Sequence, residues 1–391
     1  MELNKLKSRF FQVFESECGK AVKLFFSPGR INLIGEHIDY NGGYVFPAAI
    51  TLGTYAAVTT RNDGKVALYS RNFESDGVIE FALTDLERQT DEPWSVYVKG
   101  VIDTFIKAGF HIGQGFNAYI EGTIPNGAGL SSSASLEMLI GQILERLNGL
   151  TVSGVEKAKL AQEAENAYVG VSCGIMDQFA IGMGRRDQAI KLNTTNLCYE
   201  YAACDLGDYR VLIMNTNKQR GLADSKYNER RCECEAALAL LQRVVKIDYL
   251  CDLTADEFAA VSGVLGEGDL YRRAKHAVGE NERVKLAMAA LSEGDLAGFG
   301  ELLNQSHISL RDDYEVTGAE LDAIVSLAWA QDGVLGARMT GAGFGGCGIA
   351  LVHGDKLDEV REAIAVGYKQ EIGYEADFYV ASIGDGARVL E

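Results

Sequence analysis

The stretch that most limits what this chain can fold into is Ile124 to Ser135, IPNGAGLSSSAS, because it leads straight into an amphipathic helix. Apolar residues recur at Leu136, Leu139, Ile140, Ile143, Leu144 and Leu147, the three-and-four spacing that lays one stripe of a helix on a core. Ser131 or Ser132 is the expected N-cap and Gly149 the expected stop. The glycines and serines therefore fall where the first four backbone N–H groups of the helix lack intrahelical partners. Such an end attracts anions. The macrodipole adds about half a positive charge, glycines at 127 and 129 let the backbone approach a phosphate closely, and the hydroxyls of Ser131, Ser132 and Ser133 can donate or hold a metal. The pattern is neither of the two common phosphate loops: no Lys-Ser or Lys-Thr closes it, and Ser132 stands where the third glycine of GxGxxG would be. Shape alone leaves two readings, a phosphate cradle or a turn that merely caps a core helix, so the rest of the chain has to decide.

With 391 residues there is room for two domains, and 47% apolar residues with only 4 prolines exclude a disordered or fibrous chain. No run of about 18 uncharged apolar residues occurs, and the opening MELNKLKSRFFQVFESECGK mixes charges with apolar residues at helical spacing and has no signal-peptide core. The cytoplasm is the default expectation. A net charge of −18 argues against nucleic acid and anionic membranes as partners. It leaves nucleotides open, because backbone dipoles, a few placed cations and a metal ion can hold a polyphosphate on an acidic protein. The eight cysteines form no CxxC pair and read as free thiols; Cys232 and Cys234 lack the second Cys or His pair of a zinc site.

Upstream, the apolar run Val22 to Phe26 enters SPGRINLIGEHIDYNGGYVFP, residues 27 to 47, where Arg30, Glu36, His37 and Asp39 crowd into ten positions framed by glycines. Ionised carboxylates beside an imidazole suit a polyhydroxylated ligand, since carboxylates accept from adjacent hydroxyls. The competing reading is a solvated loop in which Arg30 pairs with Glu36 or Asp39. Thr54 to Arg61, Lys65 to Arg71 and Val78 to Leu83, separated by Asn-Asp-Gly and Ser-Asp-Gly turns, are expected to form antiparallel hairpins. Trp94 to Ala108 is expected to be helical and Phe116 to Thr123 a strand, so strand, glycine turn and helix follow in sequence. Trp94 or Tyr97 could stack on a base or belong to the core.

Beyond the cradle helix, Val155 to Tyr168 is expected to be a helix carrying Glu163 and Glu165, and SCGIMDQF, residues 172 to 179, sets Asp177 among apolar neighbours as either a helix cap or a working group. Strands are expected at Ala189 to Asn193, Tyr199 to Cys204 and Arg210 to Asn215, then a loop to Tyr227 and a charged helix from Asn228 to Val245. The domain change falls near 195 to 205, giving domains 1–200 and 201–391. Helical periodicity fills 281–292, 296–306 and 318–331, and strands lie near 337–340, 347–352 and 376–383. The late MTGAGFGGC, Met339 to Cys347, holds more glycine than a hairpin needs, which favours close backbone approach to a ligand or another loop. The ligand is expected between the halves.

In this order, the motifs at 27–47, 125–137 and 339–347 resemble the three signatures of the GHMP small-molecule kinases, and Gly-Glu-His-x-Asp-Tyr, CGIMDQF and KYNERR resemble the galactokinase branch of that family. The resemblance implies an α+β fold of two domains, the first shared with a domain of ribosomal protein S5 and the second ferredoxin-like. It implies phosphoryl transfer from ATP to the anomeric hydroxyl of α-D-galactose. By matching position, Arg30 and Asp177 would be catalytic. Glu36, His37, Asp39, Gly174 and Tyr227 would hold the sugar. Trp94 would line the adenine pocket, Gly127, Ala128, Gly129, Leu130, Ser131, Ser132 and Ser133 would wrap the ATP phosphates, and Ser133 and Glu165 would bear on Mg²⁺. The implied partners are D-galactose and MgATP, acting on a monomer with no obligatory protein partner. Two positions, Ile38 and Ser172, depart from the family's usual Thr and Pro. N-acetylgalactosamine, arabinose or galacturonate are the alternative sugars, and a catalytically silent galactose and ATP sensor is the alternative of another class.

Overall fold

A computed structural model describes residues 2–90, 92–124, 129–171, 173–218 and 223–391. In chain order the elements are α1 (Leu3–Val13), β1 (Lys23–Asn32), β2 (Tyr44–Val45), β3 (Pro47–Arg61), β4 (Lys65–Ser70), β5 (Ile79–Ala82), α2 (Ser95–Lys107), β6 (Gly115–Gly122), α3 (Ser132–Asn148), α4 (Gly154–Glu163), α5 (Met176–Met183), β7 (Gln188–Asn193) and β8 (Tyr199–Ala203). There follow β9 (Tyr209–Asn215), α6 (Ala223–Leu241), α7 (Ala255–Val261), α8 (Asp269–Glu293), α9 (Leu296–Asp312), α10 (Ala319–Trp329), β10 (Val334–Thr340), β11 (Cys347–His353), α11 (Leu357–Ile372), β12 (Asp377–Ala381) and β13 (Arg388–Val389).

The first sheet has the order β13-β1-β3-β6-β4-β5. Alternation along β1 and β3 splits their side chains between two layers: Leu24 and Ala57 pack against Leu6 and Phe10 of α1, whereas Phe25, Ala56 and Val58 pack against α2 and α3 through residues such as Phe105 and Leu139. The apolar stripe of α3 is buried as its spacing requires, with Leu147 at the margin. Gly149 ends the helix at φ +63°.

The expected hairpin between residues 54–61 and 65–71 does not form. β6 enters between the two strands, antiparallel to β3 and parallel to β4. The β4 and β5 pairing is antiparallel as expected. β1 also runs beyond its apolar start through Asn32, with a register shift between Pro28 and Arg30 that turns Arg30 toward the cradle.

β2, β7 and β8 form a small sheet, and β10-β11-β9-β12 a third, wholly antiparallel one. Numbered in chain order the third sheet reads 2-3-1-4, with helices between its first two strands and α11 before its last, which is the ferredoxin-like arrangement. One continuous core joins the halves: Ile31, Leu33, Ile34 and Ile38 pack with Phe299, Leu310 and Tyr314. Ile38 is fully buried there and faces away from the cleft. No helix among the described residues is long and apolar enough to cross a membrane.

Candidate active site

Arg30 leaves β1 buried and spends its guanidinium on two partners. Nε and Nη2 donate to Oδ1 and Oδ2 of Asp177 at 2.8 and 2.7 Å, a bidentate pair, and Nη1 donates to the Gly129 carbonyl at 2.7 Å. Asp177 sits in the first turn of α5 and caps nothing, so of the two readings its sequence left open the helix cap does not hold. Ser131 occupies the N-cap position of α3, but at φ +63° its hydroxyl turns away from the helix and donates to Asp177 instead of capping. The cradle, β1 and α5 are thus tied at one carboxylate.

A cavity of about 370 Å³ opens beside this pair, lined by Glu36, His37, Asp39, Gly174 and Tyr227 together with Arg30, Asp177, Gly129 and Ser131 to Ser133. All five expected sugar residues converge there from three separate stretches. Glu36 accepts from the Gly341 N–H at 2.7 Å and is flanked by Arg338, and its burial raises its pKa against those favourable charges. Asp39 is pushed up to about 6 by burial and by the charges of Asp177 and Glu36. A Cβ on Gly174 would stand 1.9 Å from Asp39 Oδ2, so glycine is what lets that carboxylate into the wall. Tyr227 lies in α6 itself, not in the loop before it, and its ring centroid is 5.5 Å from that of His37.

The late glycine run forms the opposite wall. Gly343, at φ +76°, brings its Cα so close to the Val316 carbonyl that a Cβ would fall 2.2 Å from it, while Gly341 and Ala342 face the cavity. Close backbone approach to another loop, one of the two options its composition allowed, is what the run achieves.

Ser132 and Ser133 are shared with a second cavity of about 160 Å³, lined by Trp94, Tyr97, Phe73, Ile120 and Leu136. Trp94 and Phe73 stack with centroids 6.4 Å apart and planes 16° from parallel. Of the expected phosphate loop, Gly127 and Ala128 lie outside the described residues, as does Ser172. Leu130 lines neither cavity; its side chain is in the core, and its carbonyl accepts from the Arg30 N–H at 3.3 Å. A larger hollow of about 680 Å³ lies far from this chemistry, where Arg61, Asp63, Glu80 and Lys20 are paired with one another or with Glu17.

Behind Ser133 two buried glutamates meet. Gln178 Nε2 donates to Glu165 at 2.7 Å and to Glu137 at 3.0 Å, and burial followed by mutual or neighbouring carboxylate charge raises both pKa values. Glu137 Oε1 has no hydrogen-bond partner. Such a site has surplus negative charge and an orphaned oxygen, the conditions a divalent cation would relieve. Sequence reasoning found Glu165 and missed Glu137, although it is the sole carboxylate in the first two turns of the cradle helix. It also missed Glu280, which accepts from the N–H groups of Gly35 and Glu36, and Arg338, which donates to the carbonyls of Asn32 and Leu33. Burial would raise the Glu280 carboxyl, but Arg283, His276 and Arg338 hold it down at about 2.

Family models match in three places: a galactokinase galactose-binding signature at residues 9–60, a GHMP kinases N terminal domain at 96–185 and a GHMP kinases C terminal domain at 287–369. The galactokinase of Clostridium perfringens is 56% identical over 390 residues, 100% of each chain, and that of Enterococcus faecalis 54% identical over 98% of this chain and 99% of its own. The crystal structure of Lactococcus lactis galactokinase complexed with galactose superposes with a TM-score of 0.95 at 52% identity, covering 99% of this chain and 100% of that one. Mevalonate kinase of Methanococcus jannaschii, at 18% identity and a TM-score of 0.69 over 94% of this chain and 100% of its own, shares the fold.

Proposed function

The chain belongs to the galactokinases within the GHMP kinases, and from that membership we propose how its own residues transfer the γ-phosphoryl group of ATP to the anomeric hydroxyl of D-galactose. The observation that carries the assignment of roles is the Arg30–Asp177 pair in the larger cavity, tied through Ser131 to the serines that this cavity shares with the smaller one. Galactose occupies the larger cavity, its hydroxyls donating to Glu36 and Asp39, with Gly174 and Tyr227 completing the wall. The adenine lies against Trp94 in the smaller cavity, and the phosphates cross the shared boundary at Ser132 and Ser133, at the positive end of α3.

Phosphoryl transfer asks for alignment and charge stabilisation more than for covalent help. Asp177 receives two donors from Arg30 and a third from Ser131, which leaves about one of its four lone-pair sites free. That free acceptor orients the anomeric O–H and takes its proton late, as the oxygen bonds to phosphorus. Arg30, with three of its five N–H donors on Asp177 and Gly129, acts on the transferring group chiefly through its charge. Ser133 and Glu165 would hold Mg²⁺, with Glu137 behind them, and the bound ion would neutralise phosphate charge. Mg²⁺ uses few protein ligands beside waters and phosphates, in keeping with the absence of any three-residue metal cluster among the described residues.

We place the domain change near 200/201, within β8 and ahead of β9, where the ferredoxin-like sheet begins. We also assign the chain to the cytoplasm, a reading supported by its eight free thiols, and keep the monomer as the state to be tested by sedimentation. Ile38, buried in the core, gives no reason to prefer another sugar. The test is ADP release over galactose, N-acetylgalactosamine, arabinose and galacturonate, with and without Mg²⁺. Galactose is expected to give the highest kcat/KM and turnover to need the metal. A clear preference for another sugar, or no sugar-dependent ADP, would overturn the assignment.

A further inference from the structure

His37 was expected to hold a sugar hydroxyl, but both of its ring nitrogens are already engaged by the protein. Nε2 is 3.1 Å from the Ala342 carbonyl in the late glycine run, and Nδ1 is 2.8 Å from the Tyr40 hydroxyl. Tyr40 Oη lies 2.8 Å from Tyr314 Oη, which lies 3.0 Å from Cys234 Sγ, and that sulfur accepts from Asn41 Nδ2 at 3.6 Å. His37, Tyr314 and Cys234 are all buried.

The donors in this chain can be ordered by elimination. A carbonyl only accepts, so Nε2 carries a proton. Burial, with the nearby His276, Arg338 and Arg230, brings the ring down to about 3 and keeps it neutral, so Nδ1 is an acceptor. Tyr40 has one proton and gives it to Nδ1; Tyr314 must then donate to Tyr40, and Cys234 to Tyr314. Every hydrogen runs one way, from α6 to the glycine wall.

We propose that His37 is a positioning residue whose ring, set as the neutral Nε2–H tautomer by the Ala342 carbonyl and braced at Nδ1 by the Cys234–Tyr314–Tyr40 chain, fastens the late glycine run across the sugar cavity and makes no side-chain hydrogen bond to the sugar. This deepens the galactokinase reading and rests on it. The loop around His37 supports it: the residue sits at φ +61°, a conformation that is uncommon outside glycine, and Asn41 Nδ2 fixes its carbonyl at 2.8 Å. The strained backbone aims the ring at Ala342, while the next residues present Asp39 to the cavity.

The first measurement needs no turnover: long-range proton–nitrogen NMR on the full chain with labelled histidine, the His37 signals being assigned by their loss in His37→Asn. The Nε2–H tautomer is expected without ligand and unchanged when galactose is added. Tyr40→Phe should keep the Nε2–H tautomer, since the Ala342 carbonyl still accepts from it, but should remove the brace at Nδ1, shift that nitrogen's signal and raise the galactose KM about five-fold, the worth of one neutral hydrogen bond, with kcat and the MgATP KM moving by less than about two-fold. Tyr314→Phe, which leaves the Tyr40 proton in place, should keep the tautomer. A deoxygalactose series should lose the same factor at each position in the native enzyme and in Tyr40→Phe. An imidazolium or Nδ1–H form in the free chain, a ring-nitrogen shift on galactose binding, or one deoxy sugar whose penalty vanishes in the variant would each overturn the proposal. Failure of galactose in the sugar panel would overturn the functional reading and leave the tautomer result standing.

Discussion

The two cavities that meet at Ser132 and Ser133 are built in opposite ways. The sugar side is walled by ionised or ionisable groups, Arg30, Glu36, Asp39 and Asp177, each held by further buried polar atoms, down to Glu280 and Arg338 behind the loop. The nucleotide side is aromatic and aliphatic, and its polar groups include hydroxyls. A sugar differs from its epimers only in where hydroxyls point, so discrimination needs fixed acceptors whose loss leaves a buried partner unpaired. An adenine ring offers a flat face that any well-placed aromatic can cover. Substitutions on the two sides should therefore separate the two Michaelis constants, and the Arg30–Asp177 pair, tied through Ser131 to the shared serines, should affect turnover instead.

The largest effect is expected at the Arg30–Asp177 pair. Asp177→Asn keeps the shape and one acceptor but removes the charge and the ability to take the proton, so kcat should fall by about 10² to 10⁴ with both KM values nearly unchanged. Near-native turnover at saturating galactose would remove Asp177 from the mechanism. On the sugar side, Gly174→Ala would set a methyl 1.9 Å from Asp39 Oδ2 and push that carboxylate out of the wall. Overpacking of this kind costs about 1–3 kcal/mol, which should appear as a rise of roughly ten- to a hundred-fold in galactose KM, with the MgATP KM unmoved. Equal changes in both constants would mean that the cavities are not separable. On the nucleotide side, Trp94→Ala should raise the MgATP KM by about ten-fold, in line with the loss of one base stack, and leave galactose alone.

The comparison also explains what could be read in advance. Arg30, Glu36, Asp39, Gly174 and Asp177 stand in short motifs because a loop that must present several groups to one ligand concentrates them locally, whereas Glu165 lies outside them and was reached only through the family resemblance. The cradle helix and the ferredoxin-like strands were legible for a similar reason: each rests on its own periodicity. Glu280 and Arg338 were not, since they meet the sugar loop across more than 240 residues and look in sequence like any charge on a helix or strand. The failed hairpin has the same origin. Residues 54–61 and 65–71 carry correct strand signals, but which strand lies between them is decided by β6, far along the chain. Ser131 shows the converse: its place was right, yet at φ +63° its hydroxyl does not reach the helix's N–H groups and donates to Asp177 instead.

The subtlest difference between the two sides should be their response to pH, since the described lining of the nucleotide cavity includes no residue that titrates near neutrality. Asp39 has a raised pKa in the folded chain, about 6 against 3.8 for the free side chain, owing to burial and then to Asp177 and Glu36. The folded state therefore binds this proton more tightly than the unfolded state. The stability so contributed is fully present below 3.8 and is lost as pH rises through about 6. A shift of this size corresponds to about 3 kcal/mol at most, and solvent reaching the half-buried carboxylate reduces it to the order of 1 kcal/mol. Thermal melts of the native chain minus those of Asp39→Asn should fall by a few degrees between pH 4 and 7 without sugar. Galactose, donating hydroxyls to the ionised form, should flatten that difference, and kcat/KM for galactose should decline as pH drops below about 6, while the MgATP KM stays level. A difference melt that is flat without sugar, or an acid limb that survives in Asp39→Asn, would assign the titration to another group on the sugar wall, with Glu36, also raised by burial, the next to replace.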